Sequence, residues 1–285
     1  MKAAVIIPSH TAPQITLLTI GSLLRTHQKH DLNIHVGVHT NYSHYTKNFS
    51  LFKELRGIAQ IHMIDELDWQ ANAKCVFRYS IMHAMNIANL LKQVQYYDFD
   101  YMLLLDHDVF IKNEFLETLT TEFPSADVIT AYFDDLKETR VFTRQDGIKQ
   151  LAMPKLTPWH TILTRKMVDN LLTNPSAIFP SELHGDARIN ILKYYGVSHN
   201  LPIFFDTLSW FLHNCRVNNV SIAAISNQRF ASFAQHFFGC SFNYGLTVMG
   251  EGLQHHLKRV VEIYEKEFPK GFRHWAVRRL LVNTG

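Results

Sequence analysis

Cysteine is scarce in this sequence: 285 residues contain three, Cys75, Cys215 and Cys240, with no Cys-x-x-Cys pair. A scattered, odd set excludes a disulfide framework and a zinc knuckle, and it points to a reducing, cytoplasmic setting. Long apolar runs are missing as well. The first one, Ala3 to Ile7, is stopped by Pro8, too short for a signal peptide or a membrane span. Neither sign of charge dominates, since Lys+Arg 28 against Asp+Glu 25 leaves +3. That balance excludes an acidic disordered tail and a histone-like polyanion binder. Repeats, low-complexity tracts and Ser/Gly linkers are also lacking, so we expect one domain over 1–250 and a C-terminal helical extension over 251–285. What the chain does have is a 47% apolar fraction, enough for a large core, and 17 histidines, which become cationic only below neutral pH.

Ala3 to Ile7 reads as a strand buried on both faces, the kind found in parallel sheets. Pro13 opens a helical spacing through Leu17, Ile20 and Leu24, and Leu32, Ile34, Val36 and Val38 alternate as a strand does. Ile58 to Ile64 is the next strand. Phe77, Ile81, Ala84, Met85, Ala88 and Leu91 then share one face of a long helix. Tyr101 to Leu105 and Asp127 to Phe133 repeat the buried-strand signature. Asp134 to Leu156 reads as a long loop or hairpin over the sheet edge, followed by a strand from His160 and helices over Thr164 to Leu172, Asp186 to Tyr195, Asp206 to Val217 and Gly252 to Phe268. Alternating strands and helices predict an open, mostly parallel α/β sheet, whose ligands lie beyond the carboxyl ends of the strands.

The chemistry-bearing motif is Asp106-His107-Asp108, directly after the buried run Met102 to Leu105. Alternate residues of an extended chain point the same way, so both carboxylates can face one ligand and His107 is excluded as its neighbour. Two hard oxygen donors suit Mg²⁺ or Mn²⁺. Such a cation takes one or two protein carboxylates and completes its shell from water and phosphate, which points to a nucleotide diphosphate. The plainer reading is a solvated acidic turn, and the apolar run before the motif argues against it.

With these motifs in order, the chain resembles the glycosyltransferases of the GT-A fold, particularly the family 2 type. Val5-Ile6-Ile7-Pro8-Ser9-His10 is similar to that family's opening strand and nucleotide-contacting turn, and Tyr101 to Asp108 to its strand and Asp-x-Asp motif. Phe204-Phe205-Asp206 resembles the acidic motif that supplies the catalytic base, and His236 to Ser241 the downstream His-x-x-Gly segment. The second strand, ending Val38-His39-Thr40-Asn41, lacks the family's paired aspartates. The resemblance implies a GT-A, Rossmann-like sheet and transfer of a sugar from a nucleotide-diphosphate sugar to a glycan, lipid-linked or protein acceptor, with inversion. It also implies donor contacts from Pro8, Ser9, His10 and Asp106, a cation on Asp106 and Asp108 with His236 as a third ligand or a diphosphate donor, and Asp206 as base; Thr40, at the end of the second strand, and Arg78, at the start of a helix, are further candidates for donor contact.

Each of these residues has a plainer reading. Asp206 is a good helix N-cap before Thr207-Leu208-Ser209; His236 is a half-buried histidine in a Phe-rich stretch; Arg78 is a solvated helix charge. Trp159-His160 suits either a sugar face or the core. Two rival functions remain open: a haloacid dehalogenase-type phosphatase using Asp106 and Asp108, and a non-catalytic nucleotide-sugar-binding module. Lys258, Arg259, Lys266, Lys270, Arg273, Arg278 and Arg279, set among Phe272, Trp275 and Leu280, suit either an anionic membrane surface or an ordinary helix packed on the domain. No basic stripe with interleaved aromatics favours nucleic acid.

Overall fold

The computed structural model describes residues 1–9, 13–39, 49–64, 78–131, 139–143, 147–156, 160–197, 201–236, 262–273 and 275. The central sheet is built around the first strand of the chain. β1 (Lys2–Ser9) is buried at every position after Lys2 and pairs in parallel with β2 (Asp31–His39) on one side and β4 (Tyr101–Leu104) on the other. Beyond β2 lies β3 (Gln60–Ile64), also parallel. On the far side of β4, β9 (Thr161–Thr164) runs antiparallel between β4 and β6 (Val128–Ala131), and β12 (Ile222–Ile225) closes the edge parallel to β6. The order is β12-β6-β9-β4-β1-β2-β3, a seven-stranded, mostly parallel sheet. The α/β expectation therefore holds.

Period-2 geometry divides the core. Ala3, Val5 and Ile7 of β1 join Leu103 and Leu105 on one face, whereas Ala4 and Ile6 join Met102 and Leu104 on the other. The first face is covered by α1 (Pro13–Thr26), through Leu17, Ile20 and Leu23. The second is covered by α2 (Arg78–Val94), through Ala84, Ile87, Leu90 and Leu91. Helices on both faces explain why β1 and β4 read as unbroken apolar runs rather than alternating ones. Two short elements follow β4: β5 (Val109–Ile111) and α3 (Leu116–Glu122). Farther along lie α4 (Arg165–Thr173) and α5 (Ile189–Tyr194).

Glycine is required at two close approaches. A Cβ on Gly37 would lie 1.8 Å from Asn86 Oδ1, because the Asn86 amide on α2 donates to the Gly37 carbonyl at 3.0 Å. A Cβ on Gly21 of α1 would lie 2.5 Å from the Phe268 ring. That second contact places the C-terminal segment. Residues 262–267 are helical, and Tyr264, Phe268 and Phe272 belong to the same core as β1, with Trp275 packed against it. Its described aromatic side is therefore spent on the domain, so the packed-helix reading prevails there over the membrane-surface one. No helix among the described residues is long and apolar enough to cross a membrane.

The stretch expected to drape over the sheet edge instead contributes to a second sheet. β7 (Arg140–Thr143) and β8 (Lys149–Ala152) form a hairpin, β11 (Ile203–Phe205) runs parallel to β8, and β10 (Ser181–Leu183) pairs antiparallel with β11. Leu151, Met153, Ile203 and Phe205 make a separate small core beneath it. The hairpin alternative expected for this stretch is therefore met by β7 and β8, whereas strands as short as β10 and β11 carry almost no periodic signal. The helix expected from Asp206 starts later, as α6 (Ser209–Val217). α7 (Asn227–Phe233) then leads into β13 (Ala234–His236), which pairs antiparallel with β5.

Candidate active site

Because β1, β2 and β4 are parallel, their carboxyl ends share one edge, and Pro8, Ser9 and Asp106 arrive there together. The turn after β4 is tied down by buried His107. Its Nδ1 lies 3.2 Å from the Pro8 carbonyl, which can only accept, so the imidazole donates; the His107 carbonyl in turn accepts from the Thr19 hydroxyl at 2.6 Å. His107 thus contacts β1 and α1, but from a turn at residues 107–108 and not from the extended chain that the alternation argument assumed. Ser9 is buried, and its hydroxyl pairs with that of Thr16 at 2.8 Å. These contacts make Pro8 and Ser9 braces for the edge, whatever else they touch.

Asp106 is 8% exposed and Asp108 wholly buried. His83, on the first turns of α2, places Nε2 3.5 Å from Asp106 Oδ1. Burial lowers the His83 pKa against the pull of Asp106, so its ring is neutral at neutral pH. Next to it stands an ion pair of which the sequence offered Asp206 but not Lys155. Lys155, three residues beyond β8, sets Nζ 2.5 Å from Oδ2 of Asp206, the residue immediately after β11. Since β8 and β11 are parallel neighbours, both residues emerge at one end of the second sheet. Asp206 Oδ1 accepts from the Thr207 amide at 2.8 Å, the Ser80 hydroxyl also donates to its carboxylate, and the Thr207 hydroxyl donates to the Ser80 carbonyl at 2.8 Å. The turn into α6 is therefore bolted to the start of α2, whose N-terminus carries partial positive charge.

Burial works against both charges of the pair, and each partner outweighs it. Asp206 is held below the ordinary carboxylate range by Lys155, and Lys155 above the ordinary ammonium range by Asp206. Asp106 also acts on Lys155, and His83 feels both aspartates. Asp206 is not the side-chain cap of α6: the residue before that helix is Leu208, in the left-handed region at φ 63°, and no side chain caps it. A buried leucine held there marks backbone strain of about 1 kcal/mol beside the carboxylate.

The backbone of His236 lies opposite Val109 in the β13–β5 ladder, next to Asp108 in the chain, and Arg78 is the first residue of α2. The side chains of His236 and Arg78, like the whole of His10, Thr40 and Trp159, lie outside the described residues. His160 is corrected from a sugar-facing candidate to a core residue: it is 0% exposed, with the rings of Phe115 and Phe230 at 4.5 and 4.9 Å.

A cation is compatible with these residues. Two carboxyl groups, Asp106 and Asp206, act on one ammonium and one neutral imidazole, and buried Asp108 follows Asp106 by two residues, an oxygen-rich set suited to a hard divalent ion. Among the described residues no third His, Cys, Asp or Glu closes a compact trio around Asp106 and Asp108. The one such trio, His30, Glu114 and Glu117, lies elsewhere, where Glu114 already caps the start of α3 through the amides of Glu117 and Thr118.

No family model and no curated protein matches the chain. Solved structures with a similar course include mouse xyloside xylosyltransferase 1 in its apo form, at 15% identity over 79% of this chain and 85% of that one, TM-score 0.40. They also include S. aureus TarS residues 1–349, at 15% identity over 76% and 64%, TM-score 0.39. The longer TarS structure matches at 14% identity, over 76% of this chain and 39% of that one, with TM-score 0.38. Likeness at this level assigns no activity.

Proposed function

We propose that the protein is a glycosyltransferase that moves a sugar from a nucleoside-diphosphate sugar to an acceptor hydroxyl, with a divalent cation on Asp106 and Asp108. One observation carries the reading: Asp106 and Asp206, a hundred residues apart and from two different sheets, converge with His83 and Lys155 at the carboxyl edge of a parallel sheet. That edge is where α/β proteins bind nucleotides.

In this reading Asp106 and Asp108 hold Mg²⁺ or Mn²⁺, which when bound supplies positive charge to the departing diphosphate. His107 and Ser9 keep the donor edge rigid. Asp206 takes the proton from the acceptor hydroxyl as that oxygen bonds to the anomeric carbon and the bond to the diphosphate breaks, giving inversion. Thr207 and Ser80 hold the carboxylate in place, so its orientation costs nothing at the moment of reaction. His236 is proposed as a further ligand on the strength of its ladder position beside the Asp108 turn.

Thermal shift with a panel of nucleoside diphosphates, with and without Mn²⁺, tests this. A ligand at a hundredfold over its Kd stabilises the native state by about 2.7 kcal/mol. At least one nucleotide is expected to do so only with metal, and Asp108→Asn to abolish it. A response that ignores metal, or none to any nucleotide, overturns the reading. A phospho-aspartate trapped at Asp106 would replace it with the phosphatase.

A further inference from the structure

Lys155 carries no motif, yet among the described residues it is the cation that pairs with Asp206. Its neighbours Pro154 and Leu156 are buried, while its own side chain is 45% exposed and folds its end back onto a carboxylate that is 22% exposed. A lysine side chain exposed to that degree can be reached from solvent, so a ligand of higher charge can exchange for the carboxylate. The two oxygens of Asp206 are unequal in this respect. Oδ1 is fixed by the Thr207 amide, with Ser80 also donating to the carboxylate, and those bonds survive if Lys155 leaves Oδ2.

We propose that Lys155 is the diphosphate-binding cation of this site and that Asp206 occupies it until the donor arrives, so that donor binding frees the carboxylate oxygen that receives the acceptor's proton. The proposal rests on the glycosyl-transfer reading for the identity of the anion. Its chemistry needs no motion of the sheet: a lysine end exchanges a single carboxylate for a diphosphate, and the carboxylate stays where its other hydrogen bonds hold it. The start of α2 lies on the same side, through Ser80, and its partial positive charge favours the incoming anion. Removing the ammonium also returns Asp206 toward ordinary carboxylate basicity, so the group becomes a competent base only when the donor is in place. Donor would therefore bind before acceptor.

The test is a double-mutant cycle read by calorimetric titration of inorganic pyrophosphate, at fixed ionic strength and without divalent cation, into the wild type, Lys155→Met, Asp206→Asn and the double variant. Lys155→Met is expected to weaken binding roughly tenfold. Asp206→Asn, which releases the competitor, should tighten it by about the same factor, and in the Lys155→Met background the same change should alter affinity less than about twofold. Equal tightening in both backgrounds would mean that the carboxylate merely repels anions, and this overturns the exchange. So does binding that Lys155→Met leaves intact. Should Lys155→Met unfold, Lys155→Gln takes its place, with thermal melts confirming that all four proteins are folded. Failure here is separable from failure of the parent reading. If pyrophosphate binds none of the four while a nucleoside diphosphate with Mn²⁺ still stabilises the wild type, the exchange falls and glycosyl transfer stands. If the cycle holds but no nucleotide binds, the reverse follows.

Discussion

At the scale of single residues, the proposed site pairs groups assigned to chemistry with groups that hold them. Asp206 is oriented by Thr207 and Ser80, and Asp106 faces His83, so substitutions at these positions should split differently between binding and turnover. Asp206→Asn keeps the size of the side chain and one oxygen for the Thr207 amide, but removes the proposed base and the acceptor of Lys155. We expect donor affinity with metal not to fall, and turnover to drop by about 10²–10⁴; steady-state kinetics with a saturating acceptor would show it, and unchanged turnover would reduce Asp206 to a structural turn residue. Much of this residue layer was legible in the sequence. Asp106 and Asp108 could be read because a fully apolar strand ends just before them, and Asp206 because of a family-like motif. Lys155 and His83 could not, since an isolated lysine near two prolines and a histidine within a helical pattern have no local feature that distinguishes them. Their meaning comes from partners 51 and 23 residues away.

Between elements, tight approaches replace generic packing. β2 and α2 meet at Gly37 and Asn86, where the glycine leaves room for the amide that bonds its carbonyl. Gly37→Ala pushes a methyl into that amide and should cost about 1–3 kcal/mol in urea denaturation. In an Asn86→Ala background the cost should shrink, because the obstructing atoms are gone; full additivity would show that the clash lies elsewhere. The docking of residues 262–273 on α1 depends likewise on Gly21. Phe268, 5% exposed and packed over it, should cost about 3–5 kcal/mol when cut to alanine, as a core phenylalanine does. A loss below 1 kcal/mol would instead mark the segment as a loosely attached tail. Helical periodicity announced α1 and α2 well; β7 and β8 were legible only as one of two alternatives, loop or hairpin, and β10 and β11 are too short for alternation to rise above chance.

For the whole molecule, the histidines set the response to acid. Burial is the leading cause that lowers His27, His35, His62, His83, His160 and His213. His35 falls to about 4 and His160 to about 3, while the unfolded chain titrates near 6.5. Below pH 6.5 the unfolded state therefore binds more protons than the folded one. Stability is full above that value and is lost as pH falls toward 4, His35 and His160 each contributing about 2 kcal/mol of loss by pH 5. Urea midpoints at pH 7 and 5 should differ accordingly, and His160→Leu should flatten the slope between them. A midpoint that is flat across this range would mean the buried rings are protonated without cost. The abundance of histidine was plain in the composition, but its direction of action was not, because only burial decides whether a ring resists its proton.

The sequence by itself determined the kind of protein this is: continuous apolar runs at β1 and β4 demand a sheet covered on both faces, and an Asp-x-Asp after such a run puts acid at the sheet's carboxyl edge. Only the tertiary structure decided what that acid faces. The parallel pairing of β8 with β11 carries Lys155 to Asp206, and the packing of α2 carries Ser80 and His83 to the same edge. Contacts between residues tens of positions apart are made by chain topology, and no local periodicity encodes them.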